Sequence, residues 1–141
     1  MRQVTLGVRC VRDSVLMNRE WLEATQSRDL EKIQQMLVTG VDINSLDQYG
    51  QTALMNAACT GSVDVVRLLI ERGAELNHSA KYHLTALMLA VINQNLEIVK
   101  LLVEGGANIS IRGSGPFEYT PLEYAERIQS YEISALLRAH T

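Results

Sequence analysis

A period of 33 residues constrains this chain more than any other feature. Thr52-Ala53-Leu54-Met55 returns 33 residues later as Thr85-Ala86-Leu87-Met88, then in weaker form 35 residues further on as Thr120-Pro121-Leu122-Glu123. Gly40, Gly73 and Gly106 keep a 33-residue interval of their own. Each is followed by a similar string: Val41-Asp42-Ile43-Asn44, Ala74-Glu75-Leu76-Asn77, then Ala107-Asn108-Ile109-Ser110. Between these marks lie two matching apolar strings, residues 63–70 and 96–103. Marks held in step by one period point to a stack of like units, because a single unit cannot bury its apolar face alone.

Local chemistry says what each unit is. In unit 47–79, the Thr52 hydroxyl suits an N-cap, and Leu54, Ala57 and Ala58 face inward. Gly61 ends this short helix in the left-handed conformation glycine tolerates, and Ser62 is placed to cap a second one. Val63, Val66, Leu69 and Ile70 form one apolar stripe, and Gly73 stops the helix. Neither helix reaches the ~12–15 residues that are marginal in isolation, so neighbours must supply the stability. Helix pairs are expected near 19–38, 52–72, 86–104 and 121–139. Arg112-Gly113-Ser114-Gly115-Pro116 reads as a loop that absorbs the extra residues of the longer interval, and residues 113–116 as the most mobile internal segment.

The pattern resembles the ankyrin repeat, whose period is 33 and whose signature is Thr-Pro-Leu-His. The resemblance covers about residues 19–141, with units near 19–46, 47–79, 80–112 and 115–141. The first resembles a capping unit and the last a shortened final unit with a polar outer surface (Glu126, Arg127, Gln129, Ser130, Glu132, Arg138). The signature proline is Ala53 and Ala86 here, its histidine is Met55 and Met88, and the inter-helix glycine of Gly61 becomes Gln94. The implied fold is all-α: a solenoid of stacked helix-turn-helix pairs with projecting β-turn or hairpin loops. Residues 1–18 fall outside the repeat. The alternation of Val4, Leu6 and Val8 leaves them an N-terminal tail, a partial repeat or an extra capping segment.

Composition narrows the function. At 141 residues the chain suits one domain, and a net charge of −3 argues against a nucleic-acid partner. Arg2, Arg9, Arg12 and Asp13 break any apolar leader, and no run suits a membrane span. Two cysteines, Cys10 and Cys59, make no disulfide scaffold, so a reduced, cytoplasmic protein is expected. His78, His83 and His140 lack metal-site spacing. Cys59 has no nearby histidine. Gly113-Ser114-Gly115 lacks the rest of a phosphate-binding loop, and Glu123 with Glu126 reads as a solvated helix face. No catalytic residue, metal, cofactor or small-molecule substrate is expected, and the chain is read as a non-enzyme, monomeric by itself.

What remains is a surface for another protein. The resemblance implies that projecting turns and first helices together line a concave, partner-binding face. By position this selects Gln48, Tyr49, Gln51, Cys59 and Thr60, then Lys81, Tyr82, Leu84, Ile92 and Asn93, then Pro116, Phe117, Tyr119 and Arg127. Tyr49, Tyr82 and Phe117 occupy equivalent places and should form an aromatic row, with Leu84 and Ile92 adding exposed apolar area. The expected function is a protein–protein interaction module, a scaffold or regulator. The alternative is a dedicated inhibitory, immunity-type or accessory subunit of one enzyme.

Overall fold

The computed structural model describes residues 17–141. Within them lie eight α-helices in four pairs: α1 (Arg19–Gln26) with α2 (Leu30–Val38), α3 (Ala53–Thr60) with α4 (Val63–Glu71), α5 (Ala86–Ile92) with α6 (Leu96–Glu104), and α7 (Pro121–Arg127) with α8 (Tyr131–Ala139). No strand occurs among the described residues. The reading of residues 1–18 lies outside them except for Met17, whose N–H bonds to the Leu46 carbonyl, and Asn18, which caps α1.

The helices begin where short polar side chains satisfy their free N–H groups. Thr52, Thr85 and Thr120 accept from Met55, Met88 and Glu123 N–H at 3.2, 3.3 and 3.2 Å. Such caps contribute about 1 kcal/mol each. Ser62 departs from the expected pattern. It makes no capping bond, and its buried hydroxyl is 3.0 Å from the Thr60 hydroxyl instead.

First helices stack on first helices and second on second, so α3 to α6 are flanked on both sides. That widens the apolar arc beyond the expected stripe. On α4 the buried residues are Val65, Val66, Leu68 and Leu69, while Val63 and Ile70 are only partly buried. The outer face of the fourth pair is charged where the equivalent face of the pairs before it is apolar. Met88, Val91 and Val103 are buried. Their equivalents 35 residues on are Glu123, Glu126 and Arg138, and Arg138 Nη2 lies 2.6 Å from Glu126 Oε2. Charges there keep the fourth pair's outer face wet.

The bend inside every pair needs a left-handed residue. Gly61 supplies one at φ 79°, but Arg28, Gln94 and Gln129 hold φ of 61°, 55° and 61° with a side chain attached. That conformation costs a non-glycine residue ~1–2 kcal/mol, and glycine returns part of the gain as lost chain entropy. Gln94→Gly is therefore expected to stabilise the fold by about 0.5–1 kcal/mol, seen as a higher urea midpoint at unchanged slope. A lower midpoint would mean that the Gln94 side chain contributes more than its backbone costs.

Three turns project from the stack, each closed by an equivalent bond. Asp47, Ala80 and Gly113 N–H donate to the carbonyls of Gln51, Leu84 and Tyr119 at 2.8, 3.1 and 3.1 Å. The two extra residues lie inside the third closure. Side chains lace successive units together. Asn44 Oδ1 accepts from Glu75 N–H and Asn77 Oδ1 from Asn108 N–H, both at 2.8 Å. His78 Nε2 reaches back to the Gly50 carbonyl at 3.0 Å, whereas His83 Nδ1 faces forward to Ser114 Oγ at 3.3 Å. The two histidines thus serve opposite interfaces.

Candidate partner-binding surface

The second projecting turn is unusual in its backbone. Tyr82 and His83 both adopt left-handed angles, φ 61° and 56°, where the first turn has an ordinary Tyr49 followed by Gly50. Tyr82 is thereby turned toward the third projecting turn. Ser114 N–H donates to the Tyr82 carbonyl at 2.8 Å, and the short 3₁₀ turn Gly115–Phe117 brings Phe117 within 5.8 Å of the Tyr82 ring, centroid to centroid. Tyr124 of α7 continues the chain of rings, 6.3 Å from Phe117 and 5.9 Å from Tyr119. Lys81 Nζ sits 5.0 Å from the Tyr82 centroid, and the Arg127 guanidinium 5.2 Å from that of Tyr119.

This cluster replaces the expected aromatic row. Tyr49 is 72% exposed and lies in no aromatic pair among the described residues. Its turn is organised by Asp47, whose carboxylate accepts from Tyr49 N–H, Gln51 N–H and Asn56 Nδ2 at 2.8, 3.0 and 3.1 Å. Leu84 is a second correction. It is buried at 9% exposure rather than exposed, because it precedes the Thr85 cap, where an apolar residue folds back toward its helix. Ile92 is partly buried against the core. The remaining sites sit along the first helices and their turns. Thr60 and Asn93 are exposed at equivalent helix ends, each bonded to its own helix: Thr60 Oγ1 to Ala57 O at 3.4 Å, Asn93 Nδ2 to Leu89 O at 2.8 Å. Gln51 is half-buried, as are Phe117 and Tyr119. Tyr124 escaped the sequence reading because its equivalent, Leu89, is a core position, buried at 7% exposure.

A groove of about 450 Å³ separates the first two units on the first-helix side, lined by Thr25, Gln26, Arg28, Asn56, Cys59 and Thr60 among others. Cys59 is an exposed free thiol. Among the described residues no cluster of His, Cys, Asp or Glu is placed to hold a metal ion, and no helix is long and apolar enough to cross a membrane.

The loop expected to be the most mobile carries backbone hydrogen bonds at Gly113, Ser114 and Phe117. Gly113 is buried, and a Cβ built on it would lie 2.2 Å from the Phe117 carbonyl oxygen and 3.3 Å from that of Tyr82. Neither is the flexible end of a side chain, so the backbone itself must move. Gly113→Ala is expected to cost about 1–3 kcal/mol, the usual range for overpacking, and to speed amide exchange at Ser114. Wild-type stability with a slow Ser114 amide would show that the third turn has room to shift.

A family model described as ankyrin repeats, in three copies, matches residues 21–113. No curated protein matches the chain. The matched span runs from the third residue of α1 through the end of α6 and stops before α7.

Proposed function

The chain belongs to the ankyrin-repeat family, and on that premise we propose that it is a scaffold or regulator holding a protein partner on the concave face formed by its first helices and projecting turns. Ankyrin repeats are protein–protein interaction modules, and the family is typically non-catalytic. The observation that carries the reading is the aromatic cluster of Tyr82, Phe117, Tyr124 and Tyr119 on the last two projecting turns and α7. Aromatic side chains held rigid at a partly exposed surface supply contact area at low entropy cost, which is why they dominate binding hot spots. The second-helix side differs in kind. There Arg67 of α4 faces Glu97 of α6 at 3.5 Å, an exposed ion pair that joins neighbouring units.

Affinity capture of partners on the immobilised chain tests the choice of face. Thr60→Glu with Asn93→Glu puts two negative charges on exposed first-helix ends and is expected to weaken capture about tenfold or more. Arg67→Ala and Lys100→Ala, on second helices, are expected to leave capture unchanged. The opposite pattern would move the partner to the second-helix face.

A further inference from the structure

We propose that the aromatic cluster receives an acidic segment of the partner, two carboxylates flanking an apolar side chain, with Lys81 and Arg127 as the paired cations. This deepens the concave-face reading and rests on it. The charge arrangement carries the argument. The third projecting turn and α7 together hold three carboxylates: Glu118, Glu123 and Glu126. Glu123 is engaged by Arg112, and Glu126 by Arg138 at 2.6 Å. Glu118 alone of the three enters no ion pair among the described residues. Lys81 and Arg127 enter none either, a property they share with Lys32, Arg72 and Lys100 among the described residues; what sets these two apart is the ring beneath each. Each cation instead lies over a ring, Tyr82 or Tyr119, at opposite ends of the same aromatic chain.

A cation positioned on a ring has already lost part of its rotamer freedom, so a carboxylate that meets it gains more than it would from a freely moving side chain. Between the cations the rings of Phe117 and Tyr124 offer apolar surface, and Glu118, between Phe117 and Tyr119 in sequence, sets one unpaired carboxylate against the two unpaired cations. An apolar side chain with an acid on each side matches that order. The first projecting turn has no such character. Tyr49 stands apart from other rings, and Asp47 beside it is an acid turned onto its own backbone. Recognition of acidic sequence is thereby confined to the last two units. Rings with cations also suit single-stranded nucleic acid, but a chain of net charge −3 lacks the basic field that such a partner requires.

The test is an amide chemical-shift titration of the full chain. The probes are a short synthetic peptide alternating Asp and Glu with Leu, its counterpart with Lys in place of the acids, and a short oligothymidylate. The acidic peptide is expected to shift Lys81, Tyr82, Phe117, Tyr119, Tyr124 and Arg127, with binding that weakens as salt rises. Lys81→Glu with Arg127→Glu should weaken it about tenfold or more, Lys81→Gln with Arg127→Gln less, at unchanged helical circular dichroism. The inference is overturned if the lysine peptide or the oligothymidylate binds the cluster as tightly, or if the acidic peptide leaves these amides unshifted up to about 1 mM. Shifts confined to Cys59, Thr60 and Asn93 would overturn it while leaving the concave-face reading intact. Loss of that reading shows separately, as partner capture that survives Thr60→Glu with Asn93→Glu.

Discussion

Leu102→Ala is expected to destabilise the fold by about 2–5 kcal/mol, and Leu69→Ala by a similar amount. The two leucines are equivalent residues of α6 and α4, one period apart, and both are 0% exposed. Their helices are nine residues each, too short to hold together in water without packing. Each leucine also sits where its helix closes. Ala74 N–H donates to the Leu69 carbonyl and Ala107 N–H to that of Leu102, both at 3.0 Å. A cavity at either site therefore loosens both the contact with adjacent helices and the turn that leads to the next unit. Leu69 should be the more costly of the two if the first unit depends on α4 for cover, since buried Trp21 and Ile33 belong to that unit. Equilibrium urea unfolding reads both changes. Arg67→Ala is the control: its exposed pair with Glu97 at 3.5 Å contributes ~1 kcal/mol or less. A loss under about 1 kcal/mol for either leucine would mean that the neighbouring helices close over the cavity, an outcome at the far edge of what cores permit.

The helices were legible because the marks that define them are local. A threonine that caps and a glycine that stops act within one turn of chain, so Thr52, Thr85 and Thr120 announce their helices from sequence alone. The surface was less legible, because a period identifies equivalent positions and not equivalent surroundings. Tyr49 and Tyr82 are equivalent, yet only Tyr82 has a longer turn beside it. The two extra residues inside the 113–119 closure fold Gly115–Phe117 against Tyr82, close enough that a Cβ on Gly115 would sit 3.2 Å from the ring. Tyr124 shows the same limit from the other direction. Its equivalent Leu89 is covered by a further unit, whereas the fourth unit leaves Tyr124 half-buried and free to join the rings. Leu84 was misread because exposure was assigned to the whole projecting turn, while the residue before a cap belongs to the helix it precedes.

Tyr82→Ala should weaken binding of a captured partner by about 2 kcal/mol or more, the scale of an aromatic hot spot. The ring is braced by Phe117 on one side and by Lys81 on another, and 37% of the residue stays exposed for a partner to cover. Its rotamer is therefore set before binding, and truncation removes contact area that was already ordered. The fold should tolerate the change. Alanine meets the same left-handed strain at φ 61° as tyrosine does, and losing the Phe117 contact costs only ~0.5–1.5 kcal/mol. Tyr82→Phe keeps the ring and should bind within about 0.5 kcal/mol of wild type. Ile92→Ala, added to Tyr82→Ala, should deepen the loss, but Ile92 is partly buried against the core, so part of its effect falls on stability. Measuring the single and double variants in one calorimetric titration, with thermal melts of each, separates the two contributions. Lys100→Ala on the opposite face should bind normally. If Lys100→Ala abolishes binding while Tyr82→Ala binds as wild type does, the partner lies across the second helices and the aromatic cluster is a brace between the last two units.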